Sequence, residues 1–265
     1  AVVSRWTGKP IIDVPQPMRF DIITLFPELF VPFLTSGVTR RAYESGQVEV
    51  RTWNPRDYAE GQYRRVDDRP FGGGPGMVML PGPLSACLGA IRAERADAAP
   101  LVLFSPLGDT LRHAAVAQWA GGPGAVLLCG RYEGVDQRFI DTHVDLQISL
   151  GDFVLSGGEI AAMALLDAVA RLQPGVLNDA ESHQMDSFNP ALDGLLDCPH
   201  YTRPEVWEGQ AVPEVLLSGH HGKIERWRRD ARLQATVRWR PELVEAARHA
   251  GSLTTEDERF LASLR

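Results

Sequence analysis

Residues 148–159, ISLGDFVLSGGE from Ile148 to Glu159, decide how the rest of the chain is read. A short apolar segment leads in, Gly151, Gly157 and Gly158 surround the apolar run Phe153-Val154-Leu155, and an alanine-rich helix is expected from Glu159 to Leu172. Glycine permits left-handed backbone and close approach of main chain to a ligand, so the stretch is composed like a loop that recognises something through N–H and C=O groups. The same glycines equally suit a plain tight connection from strand to helix.

Working outward, the preceding segments repeat the arrangement. Leu101 to Phe104 reads as a short strand that stops at Ser105-Pro106-Leu107-Gly108, after which Asp109 or Thr110 caps the helix LRHAAVAQWA and Gly121-Gly122-Pro123-Gly124 ends it. Ala125 to Cys129 is a fully apolar strand stopping at Gly130-Arg131-Tyr132-Glu133-Gly134, a helix begins at about Val135, and Val144 to Ile148 leads into the opening loop. Further upstream, Arg19 to Leu25 and Gln47 to Trp53 read as strands, with helices from Pro27-Glu28 to about Ser36, over VTRRAYES, and from about Pro83 to Arg95. Strands that alternate with helices and are apolar throughout imply an α/β fold with a mostly parallel sheet covered on both faces. Ligands in such sheets bind outside the carboxyl ends of the strands, so the loops at Ser105–Gly108, Gly130–Gly134 and Leu150–Gly158 are expected to share one pocket. Glu133 there either faces a positive ligand group or caps a helix.

Two polar regions stand apart from this alternation. Residues 54–76, NPRDYAEGQYRRVDDRPFGGGPG, are far longer than an ordinary loop; Arg64, Arg65 and Arg69, interleaved with Asp67 and Asp68, form either a solvated face or a phosphate-holding one. Residues 176–200 are polar and irregular, in the manner of an interdomain linker. Beyond them a basic helix over about 219–237 places Ile224, Trp227, Ala231 and Ala235 at helical spacing as a core face, with its arginines pointing elsewhere. From Gly219 to Arg240 there are seven basic residues against two acids, a local excess that the net charge of −7 conceals; it makes either a solvated face or an RNA contact.

Composition narrows the class. With 265 residues, 44% hydrophobic and 23% charged, the chain can bury its own core without staples. Cys87, Cys129 and Cys198 are odd in number and far apart, which reads as free thiols in a reducing cytoplasm. No apolar run is long enough for a membrane span, and residues 1–17 lack the core of a signal peptide and are set aside as an extension upstream of Met18. P-loop, nucleophile-elbow, zincin and dinucleotide-binding signatures are all missing, and GGGPG at 72–76 lacks both the preceding strand and the following Lys-Ser/Thr of a phosphate loop. A pocket of main-chain-rich loops suited to an adenosine-like ligand remains.

Four segments together carry a resemblance: DDRPFGGGPGM at 67–77, GRYEGVDQR at 130–138, SLGDFVLSGGE at 149–159 and GLLDCPHYTRPEVWEG at 194–209. In this order they resemble the TrmD family, bacterial tRNA (guanine-N1)-methyltransferases of the SPOUT superfamily, from about Met18 to the C-terminus. The resemblance implies a SPOUT-type parallel sheet with a C-terminal deep trefoil knot binding S-adenosyl-L-methionine, plus a small, mostly helical domain. On that basis residues 18–177 form the methyltransferase domain, 178–194 the linker and 195–265 the tRNA-binding domain. The family acts as a cytoplasmic antiparallel homodimer whose active site joins the knot loops of one subunit to the linker and C-terminal domain of the other, and it makes 1-methylguanosine at position 37 of tRNA.

Matching motif by motif, the resemblance assigns cofactor contacts to Phe104, Ser105 and Pro106, to Gly130, Tyr132 and Glu133, and to Leu150, Gly151, Asp152, Phe153, Val154, Leu155, Gly157 and Gly158. Phe153 stands where the family often has Tyr and Leu107 where Gln is frequent, mild departures if main chain makes the contacts. Asp186 in HQMDSF matches the family's general base and Arg171 its cation for guanine O6; without the match they would read as a turn cap and as an i,i+4 partner of Asp167. Gly76, Ser182, Arg203 and Arg226 match tRNA-contacting positions, while a role for Mg is left unassigned and no metal ligands are named. Two other classes compete: a non-catalytic RNA-binding module on the same scaffold, and a methyltransferase acting on rRNA or a ribose hydroxyl.

Overall fold

The β-branched run after Met18 folds as strand β1 (Met18–Ile23) in the computed structural model, which describes residues 17–178 and 183–264. A turn of 3-10 helix opened by Pro27 leads into α1 (Phe30–Thr35), followed by α2 (Arg40–Glu44) and β2 (Val48–Trp53). The long polar segment is pinned by two short antiparallel strands, β3 (Asp67–Asp68) and β4 (Val78–Met79). Helices and strands then alternate: α3 (Pro81–Glu94), β5 (Leu101–Thr110), α4 (His113–Ala120), β6 (Gly124–Leu128), α5 (Gln137–His143), β7 (Leu146–Ser149) and α6 (Glu159–Ala170).

Five of these strands form the expected parallel sheet, in the order β2-β1-β6-β5-β7. Strand side chains alternate between faces, and both faces are buried. Phe20, Ile22, Ala125, Leu127 and Val102 pack with Phe30 and with Leu165, Leu166 and Val169 of α6; Ile23, Val126, Leu128, Leu101 and Leu103 pack with Leu84, Leu88 and Ile91 of α3 and Phe139 of α5. Each such fully buried aliphatic or aromatic side chain stabilises the fold by roughly 1.5–3 kcal/mol. The acidic residue of β1, Asp21, is buried and accepts hydrogen bonds from Arg19, Trp53 and Arg95 at 2.8, 2.8 and 2.7 Å, which offsets its loss of water.

Strand β5 departs from the sequence reading. It does not end at Phe104: the chain bulges out over residues 105–108 and returns to the same neighbour, so that both Phe104 and Asp109 pair with Ile148 and Thr110 pairs with Ser149. Asp109 and Thr110 are therefore ladder residues, and α4 begins only at His113, after Arg112, without a side-chain cap. Turn residues at 105–108 signal the excursion correctly, but the return is set by pairing with a strand some forty residues away. Gly108 makes it possible, since a Cβ there would lie 2.4 Å from the Gln147 carbonyl carbon.

The second compact unit begins at Leu177. In its described part, Asn189 donates to the His183 carbonyl and accepts from the Ala191 N–H, next to a 3-10 turn, Pro190–Leu192. A two-stranded ribbon, β8 (Val206–Trp207) with β9 (Gln210–Ala211), precedes α7 (Glu214–Leu217), α8 (His221–Trp239), α9 (Pro241–His249) and α10 (Thr255–Ser263). Its core gathers Leu195, Leu233, Val244, Ala247 and Leu261.

The basic helix faces differently from its expected pattern. Ile224, Trp227, Ala231 and Ala235 are only partly buried, whereas Arg232, Leu233 and Thr236 are buried. Three of its arginines turn inward: Arg229 bridges Asp193 at 2.7 Å and Asp257 at 3.0 Å, Arg226 reaches Asp257 at 3.1 Å and also binds Asp230, and Arg232 lies 3.4 Å from Asp197. Except for Asp230, those carboxylates lie outside the helix, where its periodicity cannot reveal them. Asp257 also closes a capping box with Thr254 at the start of α10. Burial alone would push its carboxyl up, but the Arg229 guanidinium and the Thr254 N–H and hydroxyl hold it at about 2. A carboxylate whose pKa lies below its unfolded value of about 3.9 stabilises fully above that value and loses its contribution as pH falls toward the folded value. We expect Asp257→Asn to cost on the order of 2 kcal/mol at neutral pH in urea unfolding, with the gap to the parent protein closing from about pH 4 down to about pH 2.

Candidate active site

Strands β6, β5 and β7 are adjacent and parallel, so their carboxyl ends open on one edge of the sheet. There the structure forms a cavity of about 370 Å3 walled by all three glycine-bearing loops. Phe104, Ser105 and Pro106 come from the bulge of β5; Gly130, Tyr132 and Glu133 follow β6; Leu150, Gly151, Phe153, Val154, Leu155, Gly157 and Gly158 follow β7. Asp152 alone of the expected cofactor set is not on the wall. Arg131, within the expected Gly130–Gly134 loop, is on it too, and so are Val135, Gln137, Ile140 and Ala161, which the sequence reading had not assigned to the pocket.

Two glycines bring the loops together. The N–H of Gly158 donates to the Gly130 carbonyl at 3.0 Å, and a Cβ on Gly158 would sit 2.7 Å from the Cys129 Cα. Any larger residue would separate the start of α6 from the end of β6. Gly151, at φ +146, takes backbone that L side chains rarely adopt, and the Ser149 hydroxyl holds both of its main-chain groups. Tyr132 accepts a left-handed φ of 60° itself, and its hydroxyl accepts from Arg56 at 3.4 Å. Burial, followed by the charge of Asp67, raises the Tyr132 hydroxyl above the usual phenol range, so it stays protonated at neutral pH.

Geometry removes capping of α5 as the role of Glu133. Asp136 caps α5 by accepting from the Arg138 N–H, and Glu133 lines the cavity, exposed, with its own N–H on the Met77 carbonyl. Gly76, at φ +79, lies directly against it: a Cβ there would fall 2.3 Å from Glu133 Oε1. A residue expected on the acceptor side thus touches one expected on the cofactor side.

The remaining candidates are placed as follows. Arg171 ends α6 at its C-cap, its N–H on the Asp167 carbonyl at 3.0 Å. Asp186, in the second unit, is half-buried in a turn whose N–H groups link His183, Asp186 and Asn189. Arg203 is exposed, Arg226 is ion-paired as described, and Ser182 lies outside the described residues. All three cysteines are free and buried; burial pushes the Cys87 thiol up to about 12 and Cys129 well above its ordinary range. Among the described residues, Asp197, Cys198 and His200 bring ligand-type atoms within 4.8 Å of one another, but Asp197 already bonds His200 at 2.8 Å and lies beside Arg232. No helix among them is long and apolar enough to cross a membrane.

A doubly covered parallel sheet whose carboxyl-end loops enclose one pocket marks an α/β protein with its ligand site outside the strand ends. The profile of the family described as tRNA (Guanine-1)-methyltransferase TrmD matches residues 18–246, and the chain belongs to that family. Proteins named tRNA (guanine-N(1)-)-methyltransferase are close relatives. The one from Paracidovorax citrulli is 76% identical over 251 residues, covering 93% of this chain and 98% of its own. That from Polaromonas sp. is 74% identical over 252 residues, covering 93% and 97%, and that from Bordetella pertussis 57% over 251, covering 93% and 98%.

Proposed function

We propose that this protein transfers the methyl group of S-adenosyl-L-methionine to N1 of the guanosine at position 37 of tRNA, beside the anticodon. Methylation of guanine N1 in tRNA follows from family membership and the names of the relatives. The single observation that carries the reading onto this chain is the convergence of the three loops on one cavity. Its volume lies within the range of ligand pockets, its glycine-rich walls offer N–H and C=O groups to an adenine edge, and the Glu133 carboxylate suits a cationic ligand. Bound there, S-adenosyl-L-methionine supplies an electrophilic methyl group on a sulfonium.

Guanine N1 keeps its proton at neutral pH and is a poor nucleophile until that proton leaves. Asp186 takes it, a general-base contribution of roughly 10²–10⁴-fold. Negative charge then develops on O6, which the Arg171 guanidinium stabilises, by analogy with an oxyanion donor, on the order of 10²–10³-fold. Gly76, Ser182, Arg203 and Arg226 contact the tRNA in this reading. Residues 18–177 form the catalytic domain, 178–194 the linker and 195–265 the tRNA-binding domain.

The chain path is read as a deep trefoil knot, a reading that family membership supports. The working form is an antiparallel cytoplasmic homodimer in which Arg171 of one subunit acts with the partner's Asp186. Incubating the protein with bulk tRNA and methyl-labelled S-adenosyl-L-methionine tests the activity: label is expected in 1-methylguanosine. Label confined to ribose hydroxyls, or absent from 1-methylguanosine, overturns it.

A further inference from the structure

Between the cavity and the core lies a buried charge that the reaction does not use. Glu159, in the first turn of α6, is 1% exposed. Its Oε1 accepts from the Thr24 hydroxyl at 2.9 Å, and its Oε2 lies 2.9 Å from Arg131 Nε, close in distance though not aligned as a linear hydrogen bond. The Arg131 guanidinium also stacks over the Phe26 ring, 4.5 Å from its centroid, and donates to the Ser156 carbonyl at 3.3 Å. Gly157 completes the arrangement, since a Cβ there would lie 2.2 Å from Arg131 Nε. One side chain therefore ties the end of β6 to the residues after β1, to the last turn of the 150–158 loop and to the start of α6.

We infer that Arg131 is a positioning residue for the methyl-donor loop, its guanidinium holding the Ser156-Gly157 segment in the binding conformation while Glu159 and Phe26 hold the guanidinium. The inference rests on the reading that this cavity takes S-adenosyl-L-methionine. A planar, five-donor guanidinium can serve the carboxylate, the carbonyl and the aromatic face together, whereas an ammonium offers a point charge without the fork or the stacking plane. Without it the Ser156 carbonyl loses its donor, Glu159 is left buried without a counter-charge, and the space against Gly157 opens. The loop then spends less time in its binding form, and apparent affinity falls in proportion to that fraction.

The test compares Arg131→Met, Arg131→Lys and the double variant Arg131→Met/Glu159→Met with the parent chain, each as the full-length protein. For Arg131→Met we expect KM for S-adenosyl-L-methionine to rise about tenfold or more, with kcat at saturating donor within about threefold and tRNA affinity unchanged, as population arithmetic requires when only the competent fraction falls. The double variant is expected to recover melting temperature, because no buried charge is left over, and to keep the raised KM. Arg131→Lys, which keeps a charge beside Glu159, is expected to stay folded with an intermediate KM, and it decides the matter if the methionine variant fails to fold. A role in stability alone gives the opposite split, with lower melting temperature, reduced kcat through loss of active protein and unchanged KM; that result, or a double variant with parental KM, overturns the inference. Failure of the parent chain to bind S-adenosyl-L-methionine would instead overturn the reading of the cavity itself.

Discussion

Asp186→Ala abolishes methyl transfer while leaving S-adenosyl-L-methionine affinity close to that of the parent protein. The expected loss is about 10²–10⁴-fold in the single-turnover rate, the range a positioned general base contributes. The reason is chemical: guanine N1 must lose its proton before its lone pair can attack, and an alanine offers no base at the turn between His183 and Asn189. Cofactor affinity is spared because the cavity wall is built from residues 103–161, none of them in the turn that carries Asp186. Single-turnover rates over a pH range separate the roles, since a rate that rises with hydroxide in the variant marks a missing base. Near-parental turnover at neutral pH removes Asp186 from the mechanism.

Arg171→Ala is expected to lower turnover on the order of 10²–10³-fold with little change in melting temperature. The competing reading, an i,i+4 pair with Asp167 on a helix end, is worth at most about 0.5 kcal/mol and would leave turnover intact. The two variants also test the shared site together. If Arg171 of one subunit works with the partner's Asp186, a dimer carrying one Arg171→Ala and one Asp186→Ala subunit has one intact site and one doubly damaged one. Random mixing of two nearly inactive variants then restores about a quarter of parental activity, as symmetry of the dimer requires. No recovery on mixing indicates that each subunit supplies both groups to its own site.

Much of the sheet was legible in the sequence because apolar strands covered on both faces leave continuous runs such as AVLLC, and because glycines mark where those runs stop. The convergence of the three loops was legible for the same reason: parallel strands put their carboxyl ends on one edge. What escaped reading depends on partners distant in sequence. Asp109 and Thr110 look like helix caps until β7 supplies the ladder that claims them. Arg226, Arg229 and Arg232 of α8 look like a solvated face until Asp193, Asp197 and Asp257 are brought against them. Arg131 sits inside a quoted motif, yet only folding sets it against Glu159 and reveals why residue 157 is glycine. The chemistry was less legible than the pocket, for a lone carboxylate and a lone guanidinium have no periodicity, and the roles proposed for Asp186 and Arg171 rest on resemblance alone.

The most direct measurement of the central claim uses tRNA transcripts differing only at position 37, incubated with methyl-labelled S-adenosyl-L-methionine and digested to nucleosides. The account predicts label in 1-methylguanosine from the transcript with guanosine at that position, and background label when it is replaced by adenosine, cytidine or uridine. Equal labelling of the transcript and its replacements contradicts it.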